Sequence, residues 1–174
     1  VKEQSDHYYR RVSERLRHKN RAITIWDYER LILENFPDVY KVKCLNHTRY
    51  SGTLDDYGEM KPGHLTLIVI SSARNKNTID PYRPKTSLIA LTEIETYIKM
   101  VSPPYANIHV KNPIYEEVIA DFKVKFHSGL DAGQYTQQLN TDLKSFLAPW
   151  AFNAETDIIF GGSLHKSVLL NYVE

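Results

Sequence analysis

The stretch HKNRAITIWDYERLILENFPDVYKVKC, residues 18–44, decides how the chain folds, because it sets a capped helix directly before a strand. Thr24 stands where the helix should begin, with Asp27 three residues on, a spacing in which each side chain can accept the other's backbone N–H. Pro37 stops the helix, since its ring disfavours helical geometry at Phe36. Ile25, Tyr28 and Ile32 recur at helical spacing and should line one face, and Trp26, Ile32, Phe36 and, further along, Ile98 should be substantially buried. Tyr40, Val42 and Cys44 then alternate with Lys41 and Lys43, the pattern of a half-buried strand over 39–45. The stretch offers packing and partner surface, not a reaction centre.

Upstream, residues 5–21 carry six basic side chains (Arg10, Arg11, Arg15, Arg17, Lys19, Arg21) against Asp6 and Glu14, although the whole chain has a net charge of only +1. A nucleic-acid-binding helix is one reading. Aromatic interleaving and groove-reading motifs are missing, which favours a helix whose basic side is solvated or meets a partner, with Arg10, Arg11, Arg15 and Arg17 as the contact candidates. Tyr9, Val12 and Leu16 fall on one side of that helix and should dock it.

Downstream, residues 46–63 carry Gly52, Asp55, Asp56, Gly58, Pro62 and Gly63, the punctuation of a long exposed loop. Residues 64–70 read as a strand covered on both faces. A second long loop spans 71–87. Leu91, Ile94, Ile98 and Val101 then mark a helix ended by Ser102-Pro103-Pro104, and Ile108 and Val110 a short strand. Strand, helix, strand over 64–110 predicts a crossover joining two parallel strands. Val118, Ala120, Phe122, Val124 and Phe126 alternate with mostly polar neighbours and predict another strand. Asp131 should open a helix striped by Tyr135, Leu139, Leu143 and Phe146 and ending near Pro149, and Ser163 should cap a last helix through Val168, Leu169 and Tyr172. Shifting by 136 positions places Ile32 on Val168, Leu33 on Leu169 and Asn35 on Asn171, an echo that related modules or two unrelated amphipathic helices could equally produce.

The resulting expectation is an α+β fold with mixed sheets covered by helices: a basic helix over 1–20 docked on a first module over 21–111, and a second, related module over 112–174. The 174 residues suffice for one ordinary domain or two small modules, and 42% hydrophobic with 25% charged residues describes a globular protein. The longest apolar run, 65–70, falls far short of the ~18 residues of a membrane span. Cys44 is the only cysteine, so no internal disulfide is possible, which fits manufacture in the cytoplasm. The chain opens without methionine and closes inside an amphipathic pattern, so a piece of a larger polypeptide is expected.

The segment Arg21-Ala-Ile-Thr24, Trp26-Asp-Tyr-Glu29 and Phe36-Pro-Asp-Val-Tyr-Lys-Val42 resembles the baseplate J-like family, the wedge proteins of contractile phage tails and related contractile injection systems. Pro62-Gly63 before a strand, and Phe160-Gly-Gly-Ser163 before the last helix, sit where that family has comparable features. The resemblance implies a structural module that joins other baseplate subunits in a phage-tail-like particle assembled in the cytoplasm, without catalysis, cofactor, small-molecule substrate or membrane.

A search for chemistry agrees with that reading. The seven histidines form no two-ligand helical or cysteine-rich pattern, and Cys44 with His47 is half a zinc site at best. Gly162-Ser163 lacks the second glycine of a nucleophile elbow. Gly161-Gly162 lacks the Lys-Ser/Thr of a phosphate loop and reads as a turn. Glu93, Glu95, Glu116 and Glu117 lie at segment edges, where solvation is the default. Trp26 and Trp150 read as core or interface anchors. No catalytic residue, cofactor or metal is assigned.

Overall fold

The computed structural model describes residues 5–50, 57–71, 80–127, 129, 131–153 and 156–173. The chain divides into two compact units, Val1–Ile79 with Pro84–Ile114, and Asp80–Arg83 with Tyr115–Glu174.

In the first unit the order is α1 (Ser5–His18), α2 (Ile25–Asn35), β1 (Val39–Asn46), β2 (Arg49–Tyr50), β3 (Tyr57–Gly58), β4 (His64–Ser71), α3 (Leu88–Val101) and β5 (Asn107–Lys111). The three-stranded sheet runs β1-β4-β5, with β1 antiparallel and β5 parallel to the central strand. The parallel pair is the outcome expected of the β4-α3-β5 crossover. Residues 65–70 of β4 are buried without a break, as a strand covered on both faces requires. Leu65, Leu67 and Val69 join Tyr28, Leu31 and Ile32 of α2 and Leu91, Ile94 and Ile98 of α3 in one core.

Strand β1 departs from simple alternation. Val39 is buried together with Val42 and Cys44, while Tyr40 is only half-buried. A register shift between Val39 and Lys41 accounts for the odd spacing, since an extra residue re-aims the side chains on one side of a bulge. Helix α2 likewise buries Tyr28, Leu31 and Ile32 but leaves Ile25 exposed at its first position. Trp26 and Phe36 are half-buried rather than buried. Phe36 meets Tyr97 of α3 edge to face at 5.7 Å, and Asn35 Nδ2 donates to the Tyr97 hydroxyl at 2.8 Å.

The expected loop over 46–63 is in part structured. Strands β2 and β3 form an antiparallel pair, Tyr50 and Thr48 are buried, and the Thr66 hydroxyl donates to the Thr48 carbonyl at 2.7 Å. Residues 51–56 lie outside the described residues. Of the second expected loop, residues 72–79 also lie outside, while Pro84 and Thr86 are buried and Asn112 exchanges two hydrogen bonds with the Thr86 backbone.

The second unit holds α4 (Ala132–Leu147), α5 (Pro149–Phe152) and α6 (Lys166–Val173). Asp131 caps α4, accepting from the Gly133 and Gln134 N–H groups at 2.9 and 3.4 Å. Leu143 is buried in the predicted stripe, with Phe146 stacked on Tyr172 at 4.3 Å. Two expectations fail here. Residues 118–126 form no strand, because alternation prepares a surface for pairing but no segment among the described residues supplies the ladder. Ser163 does not cap α6: the first helical bonds go to the His165 carbonyl, from Val168 and Leu169, and the Ser163 hydroxyl lies 3.4 Å from His165 Nε2. Gly161, at φ +67°, makes the turn that precedes it.

Truncating a side chain buried between sheet and helix removes its transfer free energy and leaves a cavity. Ile98→Ala should therefore cost about 2–5 kcal/mol of unfolding free energy in urea titration. Glu95→Ala, which loses an exposed i,i+4 pair with Lys99 and no buried packing, should cost less than about 0.5 kcal/mol at neutral pH.

At the start of the parallel pair, His64 Nδ1 and His109 Nε2 lie 3.1 Å apart with stacked rings. Burial, then the neighbouring His64, hold His109 below its ordinary value, despite the opposing pull of Glu95. The unfolded chain thus binds this proton more readily, so stability should fall as pH drops through the ordinary histidine value of 6.5 and level off below the folded value. His109→Gln should flatten that part of a plot of unfolding midpoint against pH.

Candidate assembly surface

Helix α1 is held on α2 by polar and cationic contacts rather than by an apolar stripe. The Arg17 guanidinium sits 4.2 Å from the centre of the Trp26 ring, and that of Arg30 lies 5.7 Å from the same ring. Glu14 pairs with Arg30 at 3.6 Å. His18 is buried with Nε2 3.5 Å from Glu34 Oε2, an electrostatic contact too poor in geometry to be a hydrogen bond. Its other nitrogen, Nδ1, accepts from the Asn20 N–H at 3.0 Å.

The predicted docking side is consequently overturned. Val12 is half-buried, but Tyr9 and Leu16 are 68% and 69% exposed. A flat guanidinium over an indole covers apolar surface as well as an aliphatic side chain does, so the helix docks through residues that a hydrophobicity pattern scores as polar. Tyr9 and Leu16, two turns apart, are left facing outward, and Ile23 just beyond the helix is exposed as well.

The four arginines divide by environment. Arg10, Arg15 and Arg17 are exposed. Arg11 is half-buried, with its guanidinium 5.7 Å from the Tyr8 ring, and Arg17 is engaged with Trp26. The structure thus sets an apolar ridge, Tyr9 and Leu16, on the exposed part of α1, with Arg10 and Arg15 flanking it on opposite sides. Helical periodicity identifies Tyr9 and Leu16 as neighbours, but the contact of Arg17 with Trp26 and the burial of His18, which turn them outward, depend on α2 and have no local signal.

Helix α2, the seat for α1, is anchored by the predicted capping box. Asp27 accepts from the Thr24 N–H at 2.8 Å and the Ile23 N–H at 3.3 Å, and the Thr24 hydroxyl accepts from the Asp27 N–H at 3.3 Å. Burial pushes the Asp27 carboxyl up, but these hydrogen bonds and the nearby His18 outweigh it and hold the group below the usual carboxylate range.

The remaining sequence candidates stay apart from any reactive arrangement. Cys44 is buried, and burial followed by the Glu29 carboxylate pushes its thiol up to about 12. Glu29 also accepts from the Cys44 N–H at 2.9 Å, and His47 is exposed. Among the described residues no group of three metal-ligating side chains converges. Glu117 pairs with Arg83, and Glu95 with Lys99. Among the described residues no helix is long and apolar enough to cross a membrane.

Because the folded value of Asp27 is lowered, its contribution to stability is complete above the ordinary carboxyl value and is lost as pH falls through the folded value. Asp27→Asn should cost about 1 kcal/mol at neutral pH. It should also narrow the stability difference between pH 5 and about 2 measured by thermal unfolding, relative to the parent chain.

No curated protein sequence matches the chain. A chain in the cryo-EM structure of the anti-feeding prophage baseplate, six-fold symmetrised, shares the fold with a TM-score of 0.66 and 23% identity. The match covers 98% of this chain and 34% of that one, so the present chain spans about a third of its structural neighbour. The family described as "Baseplate protein PVC11-like" matches over residues 1–174, and the chain belongs to that family.

Proposed function

We propose that this chain is a non-catalytic assembly module of a baseplate wedge in a contractile, phage-tail-like injection system, and that α1 is one of the surfaces through which it meets other baseplate subunits. Family membership over the whole length supports the baseplate role. The observation that supports the contact surface is the outward ridge on α1, where Tyr9 and Leu16 stand exposed beside the exposed Arg10 and Arg15. Large apolar side chains left outward beside charges mark contact sites, and a cationic rim selects an acidic partner and speeds encounter with it. Assembly in the cytoplasm, without cofactor, metal or nucleic acid, completes the reading.

Reversing Arg10 and Arg15 together to glutamate should impair particle assembly, scored as sheathed particles by electron microscopy of the intact system. The unfolding midpoint of the isolated chain should move by no more than about 0.5 kcal/mol in equivalent stability, because exposed charges contribute little to folding. Tyr9→Ala with Leu16→Ala should act in the same direction. Normal particles from both double variants would remove α1 from the list of contact surfaces, and steeply salt-dependent DNA binding lost in the arginine variant would assign the ridge to nucleic acid instead.

A further inference from the structure

Residues 116–127 of the second unit are almost wholly exposed and belong to neither helix nor ladder, and among the described residues their backbone groups make no hydrogen bond. Yet their side chains carry the period of a strand. Val118, Ala120, Phe122, Val124 and Phe126 occupy one set of alternate positions. Phe126 is tilted against Tyr135 of α4 at 6.1 Å, while Val118, Phe122 and Val124 remain 51%, 40% and 39% exposed. A run of unpaired backbone beside uncovered apolar side chains is a template for strand addition.

We propose that a second copy of this chain fills that place, the two copies pairing as antiparallel strands about a two-fold axis through Phe122. Charge order selects this pairing. Parallel in-register pairing would set Asp121 against Asp121, Lys123 against Lys123 and Lys125 against Lys125, and like charges directly opposite are destabilising. Antiparallel pairing centred on Asp121 or on Lys123 sets that residue against itself, centring on Val124 sets Lys123 against Lys125, and centring on Ala120 leaves Asp121 opposite Ile119 and Glu116 opposite Val124. A slip that puts the axis between two residues throws the apolar set of one copy onto the polar set of the other.

Centred on Phe122, no like charges meet and the apolar set of one copy faces that of the other. Asp121 faces Lys123 twice by symmetry, and Phe122 faces its own copy. Ala120 faces Val124, Val118 faces Phe126, and the aliphatic stem of Lys125 lies across from Ile119. Glu117, already paired with Arg83, comes opposite His127. The same patch serves both copies, so the pair is closed by symmetry. This inference does not rest on the baseplate reading.

Sedimentation equilibrium of the 174-residue chain tests it. The parent should show a reversible monomer–dimer equilibrium. Asp121→Lys alone, and Lys123→Asp alone, each place like charges opposite one another twice and should weaken dimerisation about tenfold. The double variant D121K/K123D exchanges the two charges in place and should restore it. Under mild oxidation, copies of Phe122→Cys should cross-link to one another while copies of Val124→Cys, whose mate is Ala120, should not; the native Cys44 is buried. Far-UV circular dichroism checks that each variant is folded, and the exposure of these positions predicts that it is. A parent chain monomeric at every concentration overturns the proposal and leaves the segment to a strand of different origin. A dimer indifferent to the single reversals, a double variant no better than the singles, or Val124→Cys cross-linking as readily as Phe122→Cys, overturns the register.

Discussion

The first unit depends on one constraint: β4 is buried along 65–70, so neither face of the sheet can be left to water. Burying apolar surface contributes roughly 25 cal/mol per Å², but only if each face of the strand finds a cover. On one side Leu65, Leu67 and Val69 are covered by α2 and α3. On the other lie Thr66, Ile68 and Ile70, all buried, where the Thr66 hydroxyl is satisfied by the Thr48 carbonyl. The capping box at Thr24, the Asn35 contact with Tyr97 and the crossover to β5 all follow from the need to hold two helices over one central strand.

Elements whose determinants are local were legible in the sequence. The Thr24–Asp27 box, the Asp131 cap and the α3 stripe of Leu91, Ile94 and Ile98 each depend on residues within a few positions of one another, and they fold as their spacing predicts. The parallel β4-β5 pair followed from strand, helix, strand. What escaped was set by partners distant in sequence. The bulge at Val39 appears only against β4, and the short β2-β3 pair hides in a stretch rich in turn residues. Helix α1 turned Tyr9 and Leu16 outward because Trp26 received Arg17 instead. Residues 118–126 have the period of a strand without a ladder, since period specifies a face and not its neighbour. Ser163 failed as a cap because His165 already supplies the first helical carbonyl.

The two units differ in how their apolar side chains are spent. Unit 1 encloses a continuous core drawn from helices and sheet. Among the described residues of unit 2, Leu143 and Ile158 are the buried large hydrophobics, while Val168, Leu170 and Tyr172 of α6 stay exposed. Regions with few buried apolar contacts open at lower free energy than the global transition, so the second unit should exchange its amide hydrogens first. One unit is thus closed around its own core, while the other keeps apolar side chains open to contact.

The state of Cys44 bears on how any such contact is maintained. With its thiol pushed up to about 12 by burial and the Glu29 carboxylate, Cys44 stays protonated at neutral pH, and the thiolate is the species that attacks disulfides and oxidants. The side chain behaves as a small packed hydrophobe. Cys44 therefore offers no thiolate to a neighbour or an oxidant, and contacts made by the first unit rest on packing and charge rather than on this sulfur.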